Sequence, residues 1–208
     1  PNAIHPHVYQ WIEQNNRLFD FVLTFDEYLL SKGQNYLYYP HGRCWINNYK
    51  ETKKENKIST IASGKNTTEG HQLRHKIISK YRDDISVYGH GYNPVEFKEE
   101  SLLQYMYSIT IENCRQPGYW TEKIVDCFAS KSIPLFWGDD AVNDYFDKDG
   151  IIYFENEEEL GDIIKNLKEN GKEIYNSKKE AIEYNFKKVE EYRIPEDWMY
   201  LNYPFLFK

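Results

Sequence analysis

Three cysteines, Cys44, Cys114 and Cys127, are all that the 208 residues contain, an odd number with no C-x-x-C spacing. That argues against a disulfide framework and against a cysteine zinc site. A basic surplus is missing too: 26 Lys and Arg face 33 Asp and Glu, for a net charge of −7. Nucleic acid demands a basic footprint, so no nucleic-acid partner is expected. No apolar run approaches the length of a membrane span and no signal-peptide pattern is visible. The expectation is therefore a chain without a membrane segment, cytoplasmic in location. Mean hydropathy is −0.79, which fits that expectation. Aromatic side chains, by contrast, are plentiful at 17%, with 19 tyrosines. Such a supply suits stacking on bases and sugars, and equally a tyrosine-rich core.

Apolar periodicity divides the chain. In the first block, Val8 to Phe19 reads as a helix, and Phe21 to Thr24 and Tyr36 to Pro40 read as short strands. The charged, core-poor run Glu51 to Lys57 is the best candidate for a linker. Strand and helix signals then alternate. Strands are expected at Ile58–Ser63, Ile85–Tyr88, Ser108–Ile111, Ile133–Trp137 and Ile151–Phe154. Between them, helices are expected at Thr68–Tyr81, Glu99–Tyr105 and Thr121–Ser130, with a short helical segment at Asp139–Phe146. Asn156 caps an acidic helix, Glu157–Glu169, and a second helix is expected over Glu173–Tyr192. This order describes an α/β, Rossmann-like parallel sheet with helices on both faces. Ligands of such sheets bind at the carboxyl ends of the strands, where Ser63-Gly64, Gly89, Glu112-Asn113 and Gly138-Asp139 all fall.

The junction from Glu112 to Lys123 is the most informative stretch. A helix N-terminus offers unpaired N–H groups and the positive end of a dipole, which suits a phosphate or diphosphate. Thr121 reads as the N-cap, Glu122 fits the first turn, and Lys123 adds a full positive charge where an anion would lie. Taken singly, each has a plainer reading: Thr-Glu-Lys is ordinary first-turn chemistry, and Tyr119 in so tyrosine-rich a chain is a packing residue.

The whole string is more specific. Glu112-Asn113, Tyr119-Trp120-Thr121-Glu122-Lys123 and Ile133-Pro134-Leu135-Phe136-Trp137-Gly138 stand at the spacing of a known hallmark. Tyr107 to Phe154 resembles the C-terminal, nucleotide-binding half of glycosyltransferase family 10, the α-1,3/1,4-fucosyltransferases. Ile58 to Ser63 resembles the strand that opens that half, Leu73-Arg74 its arginine-bearing helix, and Phe19 to Asp26 a segment near the end of the acceptor half.

The resemblance implies the C-terminal half of a GT-B transferase. Residues 1–50 would be a remnant of the acceptor-side domain, 51–170 the nucleotide-sugar domain, and 171–208 a helical segment packing back on the N-terminal part. It implies an inverting transfer of fucose from GDP-fucose to a glycan hydroxyl. Arg74 and Lys123 would neutralise the diphosphate. Asn113, Tyr119 and Glu122 would contact ribose, phosphates or sugar, Thr121 would cap the helix, and Glu112 would support the loop or the sugar ring. Alone, Arg74 reads as a solvated charge on an amphipathic helix.

The family's general base is a glutamate of the acceptor domain, and no residue here aligns with it. The catalytic base is thus unassigned, and a GDP-sugar binding module without its own turnover, or a transferase using another GDP-sugar, stays open. No tightly bound cofactor is expected. Asp139-Asp140 would be the candidate metal pair, but Asp at a strand-helix junction is an N-cap, and no essential metal is expected. Gly89-His90-Gly91 reads either as a turn or as backbone that lets a ligand approach.

Overall fold

The computed structural model describes residues 1–2 and 4–207. The N-terminal block comprises helix Pro6–Asn15 (α1), strand Val22–Thr24 (β1), the single turn Glu27–Leu30 (α2) and strand Tyr36–Tyr38 (β2). β1 and β2 pair in parallel, Val22 opposite Tyr36. The main body follows as Glu55–Ile61 (β3), Glu69–Tyr81 (α3), Ser86–Tyr88 (β4), Tyr105–Ile111 (β5), Glu122–Ala129 (α4), Ile133–Trp137 (β6) and Ile152–Tyr153 (β7). Glu157–Ser177 (α5), Lys179–Lys188 (α6) and Pro195–Asn202 (α7) complete it.

The five main-body strands lie in the order β4-β3-β5-β6-β7, every neighbouring pair parallel. The chain leaves β3 in one direction to make β4 and crosses back to the other side of β3 to make β5. The order therefore reverses between β3 and β5, and that switch point opens a crevice at the strands' carboxyl ends. Side-chain alternation along β5 sorts the two faces. Tyr107, Ile109 and Ile111 join Ile77 and Ile78 of α3 and Leu160, Ile164 and Leu167 of α5. On the opposite face, Ile124, Val125 and Phe128 of α4 pack with Trp120, Phe136, Val189 and Tyr192. The fold is thus the α/β sheet with helices on both faces that the alternation predicts.

Two helix N-termini are brought to the end of β5. Thr68 caps α3 by accepting from His71 N, and Thr121 caps α4 by accepting from Lys123 N. Gly70 makes the first of these placements possible. A Cβ there would lie 1.8 Å from the Glu112 carbonyl oxygen, while Gly70 N donates to Asn113 O at 3.1 Å. Only glycine admits that approach. α4 ends where Lys131 enters the left-handed region at φ 55 and Ser132 N donates back to Cys127 O.

Differences from the expected boundaries have local causes. The proposed linker Glu51–Lys57 is interrupted, because Glu55 to Lys57 already belong to β3. Lys57 and Glu55 form an outward ion pair at 2.6 Å, while Asn56 turns inward and donates to Leu167 O. Lys54 is no linker residue either: its Nζ reaches Leu102 O, Tyr105 O and Ser132 Oγ at 2.9–3.2 Å. The segment expected as a helix over Glu99–Tyr105 is a 3-10 turn, Lys98–Ser101, and Tyr105 already starts β5. Asp139–Phe146 is likewise 3-10, over Asp140–Asp144. α5 runs eight residues past Glu169, to Ser177, so the second helix begins only at Lys179.

The C-terminal segment meets the first fifty residues at several points. Cys44 N donates to Tyr192 O, Arg193 Nη1 donates to Ile46 O at 2.7 Å, and Tyr203 OH donates to Tyr38 O at 2.7 Å. Phe21 and Phe205 meet edge-on at 5.3 Å. The three cysteines are free and buried, and burial pushes the Cys44 and Cys127 thiols up to about 11. No described helix is long and apolar enough to cross a membrane.

Candidate functional site

A cavity of about 360 Å³ occupies the switch-point crevice. It is lined by the end of β3 (Ala62, Ser63), the loop after β4 (Gly89, His90), the end of β5 with Asn113, and the first turns of α3 and α4. Four cationic side chains line it, Lys65, Arg74, Lys98 and Lys123, against one carboxylate, Glu122. Its volume sits at the lower end of the range for small-molecule sites.

Arg74 is 6% exposed and one Nη2 donates to Ile111 O at 2.6 Å. Among the described residues its other N–H groups have no protein acceptor, and a guanidinium carries five donors. Desolvation lowers its pKa from the ordinary value, and the carboxylate of Glu112 works against that. His71 sits one turn earlier on the same face of α3. Burial, then the nearby Arg74 charge, pushes its imidazole below the usual range.

Across the cavity, Lys123 Nζ lies 2.9 Å from Glu112 Oε2 and 3.0 Å from Thr121 Oγ1. Glu112 is fully buried and also accepts from Thr121 N at 2.9 Å. The Thr121 hydroxyl lies 2.9 Å from both carboxylate oxygens. Glu112 and Thr121 thus stand behind the cavity wall, where they hold the α4 N-terminus and orient Lys123. Glu122, in the same turn, faces the cavity. Burial alone would raise its carboxyl, but Lys123, Lys98 and hydrogen bonds bring it below the usual range.

Of the residues that the resemblance names, Arg74, Asn113, Glu122 and Lys123 line this one cavity. Tyr119 is not. It is 3% exposed, and its ring packs against Phe25 at 5.5 Å and His41 at 5.8 Å, away from the cavity lining. Burial, with Glu112 close by, holds its phenol far above the ordinary value. Its place follows from its neighbour: Trp120 is buried in the α4-side core, where Gly42 passes so close that a Cβ would meet the indole at 1.9 Å. Side chains that sequence reasoning passed over are Lys65, His71 and Lys98. The i, i+3 pairing of His71 with Arg74 on one helix face was the available signal; Lys65 and Lys98 sit in ordinary charged stretches that offer none. His90, weighed as a loop residue, lines the cavity beside Gly89.

Asp139 accepts from Gly118 N at 2.9 Å and Ala141 N at 3.2 Å, so it caps and ties a loop. Among the described residues no group of three or more His, Cys, Asp or Glu could hold a metal ion.

A doubly wound parallel sheet with a cation-lined cavity at its switch point is the architecture of one half of a GT-B glycosyltransferase. Residues 51–194 match the model of the glycosyltransferase family 10 (fucosyltransferase) C-terminal region, and the chain belongs to that family. Two curated relatives are similar to it. One is a protein of Acanthamoeba polyphaga mimivirus that bears a fucosyltransferase name, 32% identical over 120 residues, 49% of this chain and 20% of that protein. The other is the α-(1,3)-fucosyltransferase FucT of Helicobacter pylori, 40% identical over 80 residues, 37% of this chain and 16% of that one. The crystal structure of an α1,3-fucosyltransferase with GDP-fucose shares the fold, with a TM-score of 0.57 and 23% identity over 76% of this chain and 60% of that one. The chain thus spans a fifth or less of the length of these curated relatives.

Proposed function

We propose that this chain binds GDP-fucose in the switch-point cavity and transfers fucose to a glycan hydroxyl with inversion at the anomeric carbon. One observation carries the reading: Arg74 and Lys123, from two different helices, line one cavity beside two capped helix N-termini. A diphosphate needs at least two cations and aligned N–H donors, and this wall supplies both. As the acceptor hydroxyl gives its proton to a general base, unassigned in this chain, and its oxygen bonds to the anomeric carbon, the bond from that carbon to the β-phosphate oxygen breaks and GDP leaves with the electron pair. Arg74, Lys123 and the helix-terminal N–H groups stabilise the charge that develops there. Family membership supports fucose as the sugar. Residues 51–170 form the donor-binding unit in this reading, with 1–50 on the acceptor side and 171–208 bracing the two.

A second reading has its own support. Glu122 is the sole carboxylate lining the cavity among the described residues, and its lowered pKa makes it a poor proton acceptor. A donor-binding module without turnover would look the same at this site. Calorimetric titration with GDP, GDP-fucose, GDP-mannose and UDP-sugars tests donor binding, and glycan-dependent release of GDP from GDP-fucose tests transfer. Tight GDP-fucose binding with no release under any acceptor favours the module; absence of GDP binding ends both readings.

A further inference from the structure

One buried charge has no part in the diphosphate wall. Asp126 lies one turn beyond Glu122 on α4 and is fully buried. Its Oδ2 pairs with Lys98 Nζ, and its Oδ1 accepts from Trp45 N at 2.7 Å. Burial pushes the Asp126 carboxyl above its ordinary range and Lys98 pulls it back. Burying a carboxylate beneath an otherwise apolar helix face is expensive, and a hydrophobic residue there would cost nothing of the kind. What the arrangement achieves is positional: it fixes an ammonium at the cavity wall. Among the described residues Lys98 Nζ donates a hydrogen bond to Asp126 alone and lies 5.3 Å over the Trp45 ring, which leaves N–H donors without a hydrogen-bond acceptor.

The surroundings of Lys98 differ from those of Arg74 and Lys123. Lys123 stands at the N-terminus of α4, and Arg74, in the second turn of α3 with His71 beside it, is held at the end of β5 by Ile111 O. Lys98 is anchored to the second turn of α4, about 5.4 Å further along the axis, where Leu102 and Cys127 line the cavity and Ile61 closes the β3 side. In the donor reading, a nucleoside diphosphate laid along this wall with its phosphates at the N-termini and its ribose near Glu122 would bring its base to Ile61, Leu102, Cys127 and the Thr110 hydroxyl, with one fixed ammonium among them. Guanine offers O6 and N7 as adjacent acceptors, the edge that a lysine reads; adenine presents an amino donor in place of O6.

The geometry points to Lys98, held by Asp126, as the residue that selects guanine over adenine at this site, by donating to the O6/N7 edge of the base. The assignment deepens the donor reading above and rests on it.

Calorimetry with GDP, IDP, ADP and inorganic pyrophosphate separates the two. Wild-type protein is expected to bind GDP and IDP at least about tenfold more tightly than ADP, because IDP keeps O6 and N7. Lys98→Met is expected to remove that preference while pyrophosphate binding stays unchanged. A second measurement needs no variant: the diphosphate of 2,6-diaminopurine riboside, which keeps the 2-amino group but replaces O6 by a donor, should bind about tenfold more weakly than GDP. Unchanged selectivity in a folded Lys98→Met protein overturns the assignment, as does an equal loss of GDP and pyrophosphate, which would make Lys98 a phosphate contact. Failure of the wild type to bind any of these ligands removes the donor reading itself.

Discussion

Lys123 Nζ lies 2.9 Å from the fully buried carboxylate of Glu112, and the Thr121 hydroxyl bridges the two. A buried acid thereby sets both the cap of α4 and the aim of its first lysine. The arrangement explains why Glu112 and Lys123, eleven residues apart, belong to one motif.

Replacing Lys123 by Ala is expected to weaken GDP binding by about 1.5–3 kcal/mol, the range for hydrogen bonds to charged groups. It also leaves Glu112 buried with only the Thr121 groups for company, so the midpoint of denaturant unfolding should fall as well. Titration and unfolding of the same variant check both effects; unchanged GDP affinity would remove Lys123 from the anion site.

Tyr119→Phe should leave GDP affinity within about 0.5 kcal/mol of wild type, since the residue packs on Phe25 and His41 rather than lining the cavity. Tyr119→Ala should instead destabilise the fold by about 3–5 kcal/mol, as for other buried aromatics. A large loss of affinity in the Phe variant would place the phenol on the ligand.

Gly70→Ala brings a methyl within 1.8 Å of the Glu112 carbonyl, a backbone atom that cannot swing away. Overpacking of this kind costs about 1–3 kcal/mol. Because the clash prises α3 from the end of β5, GDP affinity should fall together with thermal stability. A Gly70→Ala protein that matches wild type in both would show that the approach is not required.

Lys54 gives a pH dependence. Burial pushes its amine down to about 7, and three neutral oxygens, with no carboxylate, receive its protons. The unfolded chain keeps that proton to about pH 10.4. Between these values the unfolded state binds more protons, so stability rises with pH from about 7 to 10.4 and is flat in this group below 7. Denaturant midpoints at pH 6.5, 8 and 9.5 should show the wild type gaining on Lys54→Met by up to a few kcal/mol across that window. Parallel pH profiles for the two proteins would contradict the buried, readily deprotonated amine.

Much of this was legible in the residues. Alternating strand and helix signals marked every strand of the main sheet, and Ile133–Trp137 falls where its apolar run lies. Thr121 and Asn156 announced their helices because N-capping is a local, side-chain-driven event. Less legible was anything set by tertiary contact. Charged Glu55 and Lys57 point off one face of β3, so composition mistook a strand end for a linker. The break at Lys178 has no glycine or proline to mark it. Tyr119 reads as a ligand contact by analogy, yet the neighbouring Trp120 and the passage of Gly42 set its direction. Lys98 carries no signal at all, since its role depends on Asp126, twenty-eight residues away.

The central claim is that Arg74 and Lys123 act together on one diphosphate. A double-mutant cycle with Arg74→Met and Lys123→Met, titrated with GDP, tests it most directly. The account predicts at least about a tenfold loss for each single variant and a coupling energy of about 0.5–3 kcal/mol between them, as for residues that share a partner. GDP affinity that is unchanged in either single variant, or losses that simply add, would contradict it.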